Sequence, residues 1–166
     1  MPGTYSQILL HVVFSTKQRR PSITPDIQAR LYEYVGGIIR AEKGTLYAIG
    51  GMPDHLHMLL RWRTDGAVSD LKRTVKARSS RWIHDTFPDS SAFAWQEGYA
   101  VFSVSKSSEA YVKAYIETQA EHHKKRDFAE ELLALLRAHG MEHDKCFVLD
   151  RAIVLQSSSA PPGRRV

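Results

Sequence analysis

Two histidines in the sequence are spaced to act as a pair of metal ligands. His55 and His57 flank Leu56 in a segment with the composition of a β-strand. Side chains two residues apart in a strand point to the same face, so both imidazoles would point together. Neutral imidazole nitrogens bind divalent metals at about 2.0 to 2.1 Å. The same pattern also fits two histidines on the solvated face of a hairpin, so the pair alone leaves both interpretations open.

A second chemical pair, Tyr115 and Gln119, lies four residues apart in a segment of helical character. Residues at this spacing are neighbours on one face of a helix. The phenol could attack a phosphorus atom, and the amide oxygen could complete a metal site that two histidines leave open. A tyrosine and a glutamine on an amphipathic helix are more commonly a packing residue and a solvated one, so this pair is also ambiguous by itself.

The elements that must position these residues predict an α+β domain. The order strand, helix, strand, strand, helix, strand is that of a ferredoxin-like, or split βαβ, antiparallel sheet with helices on one face. A further, C-terminal helix carries the candidate nucleophile. The predicted strands are 7–14, 45–52, 55–63 and 100–105. The first predicted helix begins at Pro25 and stops at Gly44. The other predicted helices are 69–87, a helix from Ser107 to about His123, and 127–138.

The motifs in this order resemble those of the IS200/IS605-like, single-tyrosine (Y1) HUH transposases. The segment Gly50–Leu60 resembles the His-hydrophobic-His motif of that family, and Tyr115-Ile116-x-x-Gln119 resembles its nucleophile helix. The segments 11–17 and 95–105 are similar to the first and last core strands of the family. The resemblance covers roughly residues 5–126, and the conjunction is far more specific than either motif alone. We therefore predict a catalytic domain at 5–126, a helical extension at 127–156 and a disordered tail at 157–166.

The resemblance implies a transposase that cuts and rejoins single-stranded DNA through a 5′-phosphotyrosine intermediate. It implies that His55, His57 and Gln119 hold Mg²⁺ or Mn²⁺ and that Tyr115 is the nucleophile. Tyr111, four residues earlier, lacks an amide four positions ahead and is expected to pack against the sheet or against a partner helix. The expected partners are single-stranded DNA with hairpin ends and a second copy of the chain. Whether the tyrosine acts in cis or in trans is left open.

The net charge of +5 makes a polyanionic partner plausible. The basic residues that form a candidate DNA surface are Lys17, Arg19, Arg20, Lys72, Arg73, Lys76, Arg78 and Arg81. They could equally be a solvated helix face, and each tryptophan is expected to be in the core. The single cysteine excludes an intramolecular disulfide and a multi-cysteine zinc site, and it fits a reducing cytoplasm, where we expect the protein to act. No apolar stretch approaches the roughly 20 residues of a membrane span, so we expect no membrane role.

Three other functions fit parts of the pattern. The same chemistry could belong to a domesticated protein that processes palindromes, or to a replication nickase. The fold could also serve a catalytically silent protein that binds single-stranded DNA hairpins. A zinc hydrolase could use His55 and His57 with a further ligand, for which Asp54 and His11 are candidates.

Overall fold

The centre of the protein is a four-stranded antiparallel sheet, seen in a computed structural model that describes residues 3–144. The strands are β1 (Ile8–Ser15), β2 (Thr45–Met52), β3 (His55–Trp62) and β4 (Ala100–Val104). Their order across the sheet is β2-β3-β1-β4. This is the arrangement of a ferredoxin-like sheet, so the predicted fold class is confirmed.

The described part of the chain also contains five α-helices. They are α1 (Pro25–Ala41), α2 (Val68–Thr86), α3 (Glu109–Glu117), α4 (Gln119–His122) and α5 (Phe128–Ala138). The chain divides into two compact units, one ending at Lys125 and the other beginning at Arg126. In the second unit, Asp127 and Glu130 form a capping box that fixes the start of α5. The predicted tail at 157–166 lies outside the described residues.

The two faces of the sheet have different partners because strand side chains alternate. Leu56, Met58 and Leu60 of β3 lie in the main core, which also contains apolar residues of α1 and α2. The opposite face carries His55 and His57. There Leu59 packs with Ile116 of α3. His55 and His57 therefore lie on the face of the sheet opposite α1 and α2, and α3 packs on that face.

The helices and aromatic side chains can be compared with the sequence predictions. The predicted third helix is broken at Thr118, where ψ is 28° and the hydroxyl donates to the Ala114 carbonyl at 2.8 Å. Within α2, Arg78 is exposed, and the neighbouring Ser79 is buried and accepts a hydrogen bond from the Trp95 indole. Tyr111 is 75% exposed, so it does not pack against the sheet of its own chain, and its packing against a partner helix stays a prediction. Of the tryptophans, Trp62 and Trp95 are buried as predicted and Trp82 is half-buried.

Candidate active site

The two histidines are held by an interior strand. β3 pairs with β1 on one side and β2 on the other, and both imidazoles are fully buried. In the ladder, His55 lies opposite Ser15 and Met52, whereas His57 lies opposite Val13 and Gly50. The ring centroids are 5.1 Å apart. Hydrogen bonding on both sides fixes the backbone, so no loop has to become ordered to bring the rings together.

His55 lies between a carboxylate and an amide. Its Nδ1 is 2.7 Å from Asp54 Oδ1, and its Nε2 is 3.1 Å from Gln119 Oε1. Burial raises the pKa of Asp54, but the hydrogen bond and the electrostatic attraction of His55 outweigh burial, so that pKa lies below its ordinary value. Asp54 is therefore a carboxylate that can accept the Nδ1 proton, which leaves Nε2, the atom that faces Gln119 Oε1, as the nitrogen that would bind a metal.

His57 is oriented by a third histidine. His11 Nε2 lies 2.8 Å from His57 Nδ1, and the two rings stack with centroids 5.1 Å apart. If His57 carries its proton on Nδ1 and donates it to His11, the lone pair of His57 is on Nε2. His11 and Asp54 were candidates for a third zinc ligand, but each contacts the Nδ1 atom of a histidine. They are placed to orient the two rings, which disfavours the zinc hydrolase.

Gln119 and Tyr115 are brought to the histidines by α3 and the short α4. Gln119 is 2% exposed, and its amide nitrogen donates to the Tyr115 carbonyl at 3.4 Å. The Tyr115 ring is half-buried and lies 6.0 Å from the His57 ring of the same chain. The four residues singled out by the resemblance are thus close together in one chain. Tyr111 is well exposed on the same helix.

Two further histidines contact this group. His123 Nε2 is 3.1 Å from Gln119 Oε1, and the His122 ring lies 4.7 Å from the Tyr115 ring. The sequence indicated these residues only as part of a basic run at the end of a helix. His123 follows Gln119 by four residues and His122 follows Tyr115 by seven, which was a usable signal, but the break at Thr118 alters the helical geometry on which that spacing depends.

The donor atoms fit a divalent metal. Two ligands in neighbouring positions of an octahedron, each at about 2.1 Å from the ion, lie about 3 Å apart. The 3.1 Å separation of His55 Nε2 and Gln119 Oε1 matches that spacing. A set of imidazole nitrogens with an amide oxygen accepts both borderline and harder ions, so the donor set permits Mg²⁺ or Mn²⁺ without selecting between them.

Lys76, one of the candidate DNA-binding residues, is engaged within the protein. Its Nζ donates to the carbonyls of Gln96, Glu97 and Gly98 at 2.5, 3.2 and 2.7 Å. Burial lowers the pKa of Lys76 to about 8; the charge of Lys72 acts in the same direction, and Glu97 opposes it. Lys76 therefore links α2 to the loop before β4.

The other basic candidates on α2 differ in their surroundings. Arg73 pairs with Asp70 at 2.8 Å, and Arg81 lies 3.8 Å from Asp85. Arg78 is directed toward Glu42 at 4.0 Å. Lys72 lies over the ring of Tyr99, which is 40% exposed. Lys72 is thus the α2 cation that lies beside an exposed aromatic ring.

The basic loop after β1 lies at the histidine end of the sheet. The Thr16 amide donates to the Asp54 carbonyl at 2.9 Å, which links this loop to the turn before His55. The Lys17 amide donates to the Ala94 carbonyl at 2.8 Å. Arg19 has a φ of 51°, in the left-handed region. These contacts place Lys17, Arg19 and Arg20 on a loop next to the site.

Comparisons with known proteins point in one direction. The family model described as "Transposase IS200 like" matches residues 4–119. The chain is 24% identical over 122 residues to the ISDra2 transposase TnpA of Deinococcus radiodurans, a match covering 70% of this chain and 87% of the relative. A crystal structure of a candidate transposase from D. radiodurans R1 has a TM-score of 0.58 at 25% identity, over 72% of this chain and 95% of that chain.

The fold is also similar to a REP-associated tyrosine transposase that was solved bound to a REP hairpin. The TM-score is 0.53 at 14% identity, and the match covers 70% of this chain and 68% of that one. At this identity the similarity shows the fold alone. Within residues 3–144, no helix is both long enough and apolar enough to cross a bilayer.

Proposed function

The chain belongs to the IS200-like transposase family, whose members act on DNA, and from this premise we propose that it cuts and rejoins single-stranded DNA through a covalent phosphotyrosine. The observation that carries the proposal is the placement of Tyr115 and Gln119 beside His55 and His57 within one chain. The proposed nucleophile, the three proposed metal ligands and the two residues that contact the histidine Nδ1 atoms lie close together in one chain.

In the proposed reaction, Tyr115 forms the new bond to phosphorus. The phenol oxygen attacks the scissile phosphate, the bond from phosphorus to the 3′-oxygen breaks, and the released 3′-oxygen takes up a proton while the phenol loses one. The products are a 5′-phosphotyrosine and a free 3′-hydroxyl. Attack by the 3′-hydroxyl of another strand reverses the step, so the bond energy is retained without ATP.

His55, His57 and Gln119 are the residues that we propose hold the divalent ion, Mg²⁺ or Mn²⁺. When bound, such an ion supplies Lewis-acid stabilisation of charge on the phosphate oxygens. Asp54 and His11 are positioning residues in this proposal, because each contacts the Nδ1 atom of one ligand histidine. Tyr115 is close to its own chain's His57, which supports action in cis.

We propose that the DNA approaches along Lys17, Arg19, Arg20 and Lys72. Phosphates would contact the cations, and Tyr99 offers a ring for an unpaired base. Arg73, Lys76, Arg78 and Arg81 contribute less, because each already contacts acceptors or carboxylates of the protein. The likeness to a transposase bound to a REP hairpin supports hairpin-ended DNA as substrate. A DNA substrate also favours the cytoplasm as the site of action.

The test is to incubate the protein with labelled single-stranded DNA carrying hairpin ends, with Mn²⁺ or with chelator, and to separate the products on denaturing gels. We expect a metal-dependent adduct that disappears in Tyr115→Phe and survives in the matched variant Tyr111→Phe. An adduct that survives in Tyr115→Phe contradicts the assignment of the nucleophile. Tight, salt-sensitive hairpin binding without any adduct would instead favour the silent binding protein.

The arrangement in cis can be tested by mixing two defective proteins. Tyr115→Phe retains the ligands, and His57→Ala retains the nucleophile. If each chain completes its own site, the mixture stays inactive. If two copies exchange helices in the homodimer implied by the family resemblance, the mixture regains adduct formation, and the cis assignment fails.

A further inference from the structure

A second polar cavity lies at the opposite end of β3 from the histidines. Its volume is about 780 Å³. Three separate segments line it: residues 4–7 before β1, Lys43 in the turn after α1, and residues 61–64 at the end of β3. No carboxylate is among the lining residues, whereas three of them are cations. The volume falls in the range of pockets that hold a small ligand or part of a larger one.

The cations of this cavity are incompletely neutralised. Arg63 lies 3.2 Å from Asp65 and 3.9 Å from Glu42. Lys43 and Arg61 have no carboxylate within 4.0 Å in the part of the chain that the structure describes, although Arg61 donates to the Thr45 hydroxyl at 3.3 Å. The Arg63 Nε atom is buried without a hydrogen-bond partner among residues 3–144. A buried donor of this kind is normally satisfied, so an acceptor is expected here.

An aromatic ring completes the cavity wall. Tyr5 is 96% exposed, which is unusual for a side chain of this size. An exposed ring beside unneutralised cations is the combination that proteins use to bind single strands, where the phosphates meet the charges and an unpaired base stacks on the ring. A duplex would not use the ring, because its bases are already stacked on each other.

We propose that this cavity is a second binding site for single-stranded DNA, with Lys43 and Arg61 on phosphates and Tyr5 under an unpaired base. The nature of the ligand rests on the proposed function. The site is distinct from the candidate active site because the two lie at opposite ends of β3. His55 and Trp62 are seven residues apart, about 23 Å along a strand. At 3.4 Å per stacked nucleotide, a strand needs about seven nucleotides to span that distance.

The test measures binding alone. We would measure fluorescence anisotropy in EDTA, which prevents metal-dependent cleavage. Oligothymidylate of five nucleotides reaches one site, and oligothymidylate of fifteen nucleotides reaches both. The variant Lys43→Asn, Arg61→Gln removes two charges, and asparagine tolerates the φ of 62° at position 43. Tyr5→Ala removes the ring and Tyr5→Phe retains it. Arg30→Ala, which removes an exposed cation on α1 outside the proposed DNA surface, is the charge control.

For the longer strand we expect at least a tenfold loss of affinity in the double variant, with a salt dependence that is shallower by about 1.4 in log–log slope. Tyr5→Ala should lose about fivefold or more, and Tyr5→Phe should bind like the unchanged protein. The advantage of the longer strand should shrink in the double variant and persist in Arg30→Ala. An unchanged slope, or an equal loss in Arg30→Ala, overturns the proposal. Failure to form a tyrosine adduct would instead concern the proposed function alone.

Discussion

Gly50 of β2 lies against the backbone of Ile116 in α3, so that a Cβ atom added at Gly50 would be 2.2 Å from the Ile116 carbonyl oxygen. Real Cβ contacts under 3.0 Å are essentially never seen. Ile116 is fully buried and directly follows Tyr115. The absence of a side chain at position 50 therefore determines how closely α3, which carries Tyr115, approaches the sheet.

We predict that Gly50→Ala impairs DNA cleavage much more than it impairs DNA binding. Displacement of α3 moves Tyr115 and Gln119 away from the histidines, and a misplacement of about 1 Å can cost roughly a hundredfold in rate. Adduct formation should fall by about that factor or more, while the free energy of unfolding falls by about 1 to 3 kcal/mol because of overpacking. The measurements are adduct kinetics, urea unfolding and hairpin-binding anisotropy.

The matched control is Gly37→Ala in α1, where an added Cβ meets nothing within 4 Å. It should stabilise the protein by about 0.4 to 1 kcal/mol and leave adduct formation unchanged. Wild-type kinetics in Gly50→Ala would show that α3 can shift without disturbing the site, which would contradict the role given to this contact.

His11→Phe should weaken metal binding. Phenylalanine keeps a ring stacked on His57 but removes the Nε2 acceptor that faces His57 Nδ1. Loss of such an orienting partner commonly costs about 10- to 100-fold in metal affinity. Titration with Mn²⁺, followed by electron paramagnetic resonance, measures the affinity directly. The nitrogen chemical shifts of His57 in the metal-free protein report its tautomer, which should change. If neither the tautomer of His57 nor the affinity for Mn²⁺ changed, His11 would have no part in orienting His57.

Lys76 makes the free energy of unfolding depend on pH in the alkaline range. Its pKa is about 8 in the folded protein and about 10.4 in an unfolded chain. Between these values the unfolded chain binds more protons than the folded one, so the contribution of Lys76 to stability rises with pH across this window. Below pH 8 both states are protonated, and the cost of burying the charge is fully present.

Urea unfolding at several pH values between 7 and 10.5 tests this statement, with Lys76→Arg as the comparison because arginine stays protonated. The stability of the unchanged protein relative to the variant should increase with pH. A relative stability that is flat or decreases would show that Lys76 keeps its proton in the folded state.

Ser79→Ala should destabilise the protein although it replaces a small residue with a better helix former. The Trp95 indole donates to the Ser79 hydroxyl at 2.9 Å in the core, and its loss would leave a buried donor unsatisfied at a cost of about 1 to 3 kcal/mol. Ser80→Ala, next to it and less buried, should be neutral or slightly stabilising. Equal effects of the two substitutions in thermal unfolding would contradict this explanation.

Local patterns predicted the elements well, because strand alternation and helix periodicity are properties of neighbouring residues. β2 begins and ends at the predicted residues, and α1 begins at Pro25 as predicted, because proline suits the first position of a helix. The break at Thr118 was not predicted, since the sequence there continues a helical pattern. The role of His11 was also missed, because it depends on the register between β1 and β3, and this register is fixed by tertiary packing.

The site is confined to the middle of the sheet, and this has a consequence for assembly. β1 and β3, the two interior strands, carry His11, His55 and His57, whereas β2 and β4 form the outer edges among residues 3–144. A second copy that paired along the outer edge of β4 would extend the sheet by further strands, and β4 would still separate it from the histidines. Oligomerisation by strand addition is therefore compatible with an unchanged arrangement of His11, His55 and His57.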